Sequence, residues 1–558
     1  MSYEQHGMWV AQDLRGRSNT SFSVRPTYRI VGSLDVSALT GAFTDLVARH
    51  EPLRTRFEVR HGELVQVVAD PATFSLPVEP VPELAEAERA AWLRRRAVEI
   101  HAAGFDLETG PLLQAHLFLV RPGEHHLLLR MHQLAGDGWS MGVLNRDLAA
   151  LYRARVQGGP AGLPELALSY TAWAQAARQA ADQDEGAALA YWREQLSALP
   201  ADRSLPTDRP APPGADYRGE HVAVEIDAAT MAQAAVLARR EHVSLFMVLL
   251  AAFGVLAGRW TGQREVLVGT AVANRSVPGT EELIGCFAGV LPARLTADAD
   301  LTFAEVLRET RDVLLDGQEN EIPVERIVRA LPGLAREPLF RIGVSSADGL
   351  AAPLRLAGVE VSRLPDEVRY APYDLEVTLA TGDDRGRLGI TFPFALFDRQ
   401  TVQRLLRSYA ALLSAACGGP EQPVSALPAP DLPTPADTAT ACRLGPGAEP
   451  AGNPRPPAGP TAAQAGDEAL EELVRSVWRK ALDVEPTGTD DDDFFLLGGS
   501  SLSAVRVSAE LSDALGFKVP LRSIYEFSAL TELTERLGEL QEEHAGAGHG
   551  PVSDELAG

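Results

Sequence analysis

In the stretch MHQLAGDGWSM, Met131 to Met141, a histidine and an aspartate bracket a turn of small residues: His132, then Asp137 and Gly138. A histidine at a strand end can take a proton from an attacking amine, the general-base half of an acyl transfer. An aspartate in such a turn more often pairs with an arginine and holds the backbone than exchanges protons. Position 133 is glutamine, which donates and accepts hydrogen bonds but takes up no proton near neutral pH. Gln133 can therefore orient a substrate but cannot serve as a general base. On local grounds alone, His132 reads more readily as a core histidine with its hydrogen bonds satisfied.

A second constellation is DDFFLLGGSSLSAV, Asp492 to Val505, in which Gly498 and Gly499 free the backbone just before a helix and Ser501 opens it. A serine there lies beside the positive end of the helix dipole, which suits a phosphate-linked group. An ordinary serine N-cap fits the same local spacing.

The elements that must position these residues follow from periodicity. HHLLLRMHQ reads as a buried strand leading into the turn, and MGVLNRDLAALYRARV, with apolar residues three and four apart, as the helix leaving it. REVLVGTAVA, RIGVSSA and LGITFPFALF read as further strands, and the apolar run Val243 to Trp260 as a buried helix. Its apolar part is short of the ~20 residues a membrane span needs. From 418 to 466 proline, glycine and alanine dominate and periodicity is lost, the composition of a linker spanning ~40 Å as a flexible coil. Beyond it, EALEELVRSVWRKAL, a helix from Ser501, a short helix and SALTELTERLGEL form a small bundle.

The predicted organisation is an α/β unit over 1–416, dividing near the proline-rich 199–219 into lobes of about 1–200 and 201–416. A linker over 417–466, a four-helix unit over 467–540 and a flexible tail over 541–558 follow. The 558 residues carry a net charge of −25, which argues against nucleic acid or an anionic membrane as partner. Three cysteines lack metal-ligand spacing, and no charged start followed by an apolar run opens the chain, so a cytoplasmic setting is expected.

The small unit resembles the peptidyl carrier domains of nonribosomal peptide synthetases, which carry D-x-F-F-x-L-G-G-x-S-L. Asp492, Phe494, Phe495, Leu497, Gly498, Gly499, Ser501 and Leu502 stand in those places, with Ser500 in the variable one. The resemblance implies that Ser501 receives 4′-phosphopantetheine. The large unit resembles the condensation domains of the same synthetases. MHQLAGDGWSM matches their H-H-x-x-x-D-G core followed by W-S, and YEQHGMW, RHEPLRTRF, YWREQL with LPTDRP, VLVGTAVANR, IGCFAGVLPAR, REPLF and YDLEVTL follow in the family's order. The implied fold is two-lobed, shared with chloramphenicol acetyltransferase, with the site in a tunnel entered by two pantetheine arms. The implied reaction joins an acyl thioester to an amine.

Several positions depart from the family. Its second histidine, usually assigned the catalytic role, is Gln133; the asparagine of IGxFVNT is Gly289; the aspartate of Y-x-D is Ala172; and HQDxPFE reads ENEIPVE. Asp137, Gly138, Trp139 and Arg294 are retained, and Asp137 with Arg294 is the expected structural ion pair. Two functions stay open. One is an amide-forming condensation–carrier didomain, with ester formation to an alcohol as a variant. The other is a non-catalytic platform that docks carriers or recruits a tailoring enzyme. No adenylation unit separates the two parts, so carrier-bound donor and acceptor, a phosphopantetheinyl transferase and an adenylation enzyme are expected to act in trans.

Overall fold

In the computed structural model, the described residues are 1–14, 22–60, 63–183, 186–197, 199, 203–210, 217–331, 338–347, 352–365, 369–381, 386–432, 467–482, 484, 486, 492–494, 497, 499 and 501–547. They form two compact units, one of residues 1–227, 267–294 and 320–407, the other of 228–266, 295–319 and 408–558.

Among the described residues the first unit is built on two large sheets, with a separate antiparallel pair of Thr55–Arg60 and Glu63–Val68. Strand Glu124–His132 lies inside the six-stranded sheet, where it pairs antiparallel with Thr27–Gly32, Leu113–Arg121 and the short Ser23–Val24. The run Leu127–Leu129 and Met131 are buried, with the apolar side chains divided between its two faces. On one face Leu127, Leu129 and Met131 pack against Leu39, Phe43 and Leu46 of helix Val36–Arg49 and Leu144 and Leu148 of helix Ser140–Gln157. On the other, Leu128 and Phe118 meet Trp92, Leu93 and Ala97 of helix Glu86–Ala102. That helix has no fully buried residue, so it covers the sheet incompletely.

Val359–Leu364, from the predicted second lobe, pairs antiparallel with Thr27–Gly32 and completes the first sheet. The second sheet has seven strands, in the order Gly289–Thr296, Glu265–Val272, Ile342–Ser346, Leu375–Ala380, Gly386–Pro393, Arg218–Ile226 and Arg369–Tyr370. The expected α/β fold is thus a mixed one, parallel around Ile342–Ser346 and antiparallel beyond Leu375–Ala380.

In the second unit, the apolar run forms helix Leu245–Thr261, capped by Ser244 and closed by Gly262 in the left-handed region. All but three of its residues are buried, as a core helix requires. Tyr409 Oη donates to the carbonyl of Leu249 at 3.1 Å. The start of the expected linker belongs to this core. Val424 and Leu427 are buried, Val424 N–H donates to the carbonyl of Leu301, and Arg259 donates to the carbonyl of Leu427. Residues 433–466 of that linker lie outside the described residues.

The small bundle has the expected three longer helices and one short one: Asp467–Leu482, Ser501–Leu515, Leu521–Glu526 and Leu530–Ala547. Its last helix runs past residue 540, so the first part of the expected tail is helical; 548–558 lie outside the described residues. Arg522 of the short helix reaches Asp316 at 2.6 Å and Asp312 at 3.3 Å on helix Phe303–Glu319.

Candidate functional site

The turn after strand Glu124–His132 is over-determined by hydrogen bonds. His132 is buried. Its Nδ1 accepts from the backbone N–H of Leu134 at 3.1 Å, and its Nε2 lies 2.7 Å from Gln12 Oε1. A backbone N–H can only donate, so Nδ1 is the acceptor and Nε2 carries the proton. Both ring nitrogens are thereby used. Burial, and secondarily the charge of Arg25, push the imidazole down to about 3. The ring stands edge-on to Phe105 at 5.4 Å. His132 is neutral framework, unable to serve as a base.

Asp137 is equally committed. Oδ1 accepts from the backbone N–H of Ser140 at 2.9 Å and from its hydroxyl at 2.7 Å. Oδ2 accepts from the backbone N–H groups of Phe287 and Ala288 at 3.2 and 3.1 Å. Arg275 Nη2 bridges both oxygens at 3.0 and 3.3 Å. The expected pairing with Arg294 is therefore incorrect: Arg275 is the partner. Asp137 docks against 285–288, whereas Arg294 lies in the strand that starts at Gly289, roughly 20 Å of extended chain beyond Ala288. Arg294 instead donates to the carbonyl of Gln195 at 3.1 Å.

Arg275 is buried, and burial lowers its affinity for its proton against the opposing effect of Asp137. It also donates to the carbonyls of Thr280 and Leu283 and lies 3.9 Å from the Phe287 ring centroid. Ser140 and Arg275 are thus the residues that reading the turn alone overlooks. VLVGTAVANR ends in Arg275, but spacing does not indicate which of two motif arginines meets the turn.

Gly138 is exposed, and its carbonyl accepts from Met141 N–H at 3.3 Å. Trp139 Nε1 donates to the carbonyl of Glu281 at 3.0 Å. Gly285, whose carbonyl accepts from Asp137 N–H, must be glycine: a Cβ there would sit 2.2 Å from the Tyr170 ring. Gly289 leaves room for the Asn274 amide, which would lie 2.7 Å from a Cβ at that position. Ala172 is exposed on helix Tyr170–Gln183.

Gln133 differs from the others. Its backbone N–H donates to the carbonyl of Phe22 at 2.9 Å, but its side chain lines a cavity of about 710 Å³. Among the described residues its amide makes no hydrogen bond, and of the turn residues singled out above it alone lines this cavity. The cavity lies where helix Glu86–Ala102 covers the first sheet incompletely, and Arg369, Tyr370, Pro372 and Glu376 also line it. A half-buried amide with free donors and acceptor can hold a carbonyl or an amine there.

At the second constellation, the loop before Ser501 is anchored by Phe494. Its ring is fully buried 5.3 Å from Trp478, and its backbone N–H donates to the carbonyl of Ser528 at 2.7 Å. Gly499 N–H donates to the Phe494 carbonyl, and a Cβ on Gly499 would lie 2.5 Å from the Phe494 ring. Ser501 is the first residue of its helix, where unpaired backbone N–H groups favour a phosphate. Gly498 and Ser500 lie outside the described residues. The side-chain-free backbone at Gly499 and the helix start fit attachment of 4′-phosphopantetheine.

Comparison with known proteins agrees with these features. The family model for the condensation domain matches residues 1–434, and that for the phosphopantetheine attachment site matches 472–537. The phosphinothricin tripeptide synthetase PhsC of Streptomyces viridochromogenes is 33% identical over 440 residues, covering 77% of this chain but 40% of that protein. The chain therefore spans less than half the length of that relative. The X-domain from teicoplanin biosynthesis is similar in structure, with 27% identity and a TM-score of 0.68 over 77% of this chain and 97% of that one; it is also known in complex with OxyB. The starter condensation domain of rhizomide synthetase RzmA shares the fold, at 19% identity and a TM-score of 0.65 over 77% and 96% of the two chains.

Proposed function

Since this chain belongs to the condensation-domain family of nonribosomal peptide synthetases and continues into a phosphopantetheine-bearing carrier domain, we propose that it joins a carrier-bound acyl or aminoacyl thioester to an acceptor amine without an imidazole at position 133. The observation that carries this reading is the Gln133 amide, without a hydrogen bond among the described residues and lining a cavity from a turn held by Asp137, Ser140 and Arg275.

In this reading Ser501 is the attachment point, and the 4′-phosphopantetheine there supplies the thiol that holds an acyl group as a thioester. The turn fixes Gln133 within the cavity, where its N–H donates to the carbonyl oxygen as charge develops, or its oxygen accepts from the amine. Loss of a general base costs about 10²–10⁴-fold. A thioester is already activated, and holding the two reactants together offsets much of that cost. Carrier-bound donor and acceptor are the substrates, and a phosphopantetheinyl transferase and an adenylation enzyme in trans are the proposed suppliers.

The likeness to the teicoplanin X-domain favours a second reading, a platform that recruits another enzyme. Intact-protein mass spectrometry of products on the holo carrier separates the two. The chain, Gln133→His and folded Asp137→Ala would each receive donor thioesters and an acceptor amine. Product from the unsubstituted chain that disappears in folded Asp137→Ala supports the enzyme. A platform gives product in none.

A further inference from the structure

The proton that the attacking amine must lose needs an acceptor, and neither Gln133 nor His132 provides one. The lining of the same cavity includes Glu376, on strand Leu375–Ala380 of the seven-stranded sheet. Its neighbours in the seven-stranded sheet are fixed by register: Gly343 on one side and Thr391 on the other, with His221 paired to Thr391 beyond. Directly paired residues share a face, so these four form one row across the sheet. Gly343 contributes no side chain, and a Cβ there would collide with the Tyr373 ring at 2.2 Å. Thr391 Oγ1 and His221 Nδ1 are in hydrogen-bond contact at 3.1 Å. The carboxyl of Glu376 thus stands beside a glycine and a threonine already engaged, with the cavity in front of it.

We propose that Glu376 is a catalytic residue of this chain, the carboxylate that takes the proton of the attacking amine in place of the absent imidazole. The inference rests on the acyl-transfer reading above. The amine nitrogen bonds to the thioester carbonyl carbon, the C–S bond breaks, and one amine proton passes to Glu376. The carboxylic acid so formed returns that proton to the departing thiolate. Amide and thiol are produced, and Glu376 is restored without any other reactant.

The surroundings suit the role. Burial raises the carboxyl to about 7, against the lowering effect of Arg369. Both protonation states are then populated at neutral pH, as a group that accepts and returns a proton requires. On the cavity's other walls stand Arg25, His101 and His126. Burial pushes His101 down to about 3 and lowers His126, and on the same sheet it pushes His221 down to about 4. Burial thus leaves each of these imidazoles a weaker proton acceptor than a free histidine.

Single-turnover product formation, followed by intact mass from pH 5.5 to 9, tests the assignment on the chain itself, Glu376→Gln, Glu376→Asp, Gln133→His and Gln133→His/Glu376→Gln. Expected is a rate that falls tenfold per pH unit below about 7, and a loss of ~10²-fold or more in Glu376→Gln. The contribution of Glu376 to that limb should vanish in Glu376→Gln, leaving only the fall due to protonation of the amine itself, and Glu376→Asp should recover part of the rate. A restored imidazole should make the Glu376→Gln change nearly silent, which a merely structural role would not do. A Glu376→Gln protein with unchanged rate and pH profile overturns the assignment and leaves the acyl-transfer reading standing. Absence of product from every protein, Gln133→His included, overturns both.

Discussion

Replacing Asp137 by alanine tests the framework of the turn. The substitution removes the acceptor for two backbone N–H groups, one hydroxyl and the Arg275 guanidinium. Removing one partner of a buried ion pair costs ~3–5 kcal/mol, because the other charge stays buried and uncompensated. Each orphaned backbone N–H adds ~1–3 kcal/mol where water cannot enter. Arg275 retains the carbonyls of Thr280 and Leu283, so part of its charge remains solvated by the protein. A net loss of about 3–5 kcal/mol is expected. Urea unfolding read by tryptophan fluorescence suits the test, since Trp139 lies 5.7 Å from the guanidinium. Arg275→Met should cost less than Asp137→Ala, because the carboxylate keeps its backbone donors. The double variant should fall short of the sum by ~1–3 kcal/mol, whereas Asp137→Ala with Arg294→Met should be additive within ~0.5 kcal/mol. Coupling of Asp137 to Arg294 and not to Arg275 would refute the pairing, as would an Asp137→Ala protein as stable as the parent.

Three other outcomes are expected. Gly285→Ala forces a Cβ against the Tyr170 ring and should destabilise the turn by ~1–3 kcal/mol in the same unfolding assay. Ser501→Ala should abolish the mass increase on incubation with coenzyme A and a phosphopantetheinyl transferase, while Ser503→Ala should not. Arg522→Glu replaces attraction to Asp312 and Asp316 with repulsion, worth ~0.2–1 kcal/mol per exposed pair. Faster hydrogen exchange along Phe303–Glu319 should follow; unchanged exchange would mean that the ion pairs do not hold the carrier there.

How much of this was legible in the sequence depended on how local the cause was. HHLLLRMHQ reads as a strand because burial on both faces demands an apolar run, and Glu124–His132 is that strand. The carrier helices carry their own periodicity and start signals. Arg275 and Arg294 both end recognisable motifs, and only the three-dimensional path of 285–288 decides between them. Val424 and Leu427 are isolated apolar residues in a proline-rich stretch, so their burial gives no periodic signal. The alternation of LEVTL suggests a solvated polar face. At Glu376 that face is a cavity wall, which sequence cannot distinguish from bulk water.

On the reading proposed here this chain forms an acyl–nitrogen bond with glutamine at position 133. The most direct test of that claim is the single-turnover rate of product formation in the unsubstituted chain beside Gln133→His, with the same loaded carriers. The expected result is product from both, the glutamine protein being the slower. Product from Gln133→His alone, with none from the glutamine protein over long incubation, would contradict the claim.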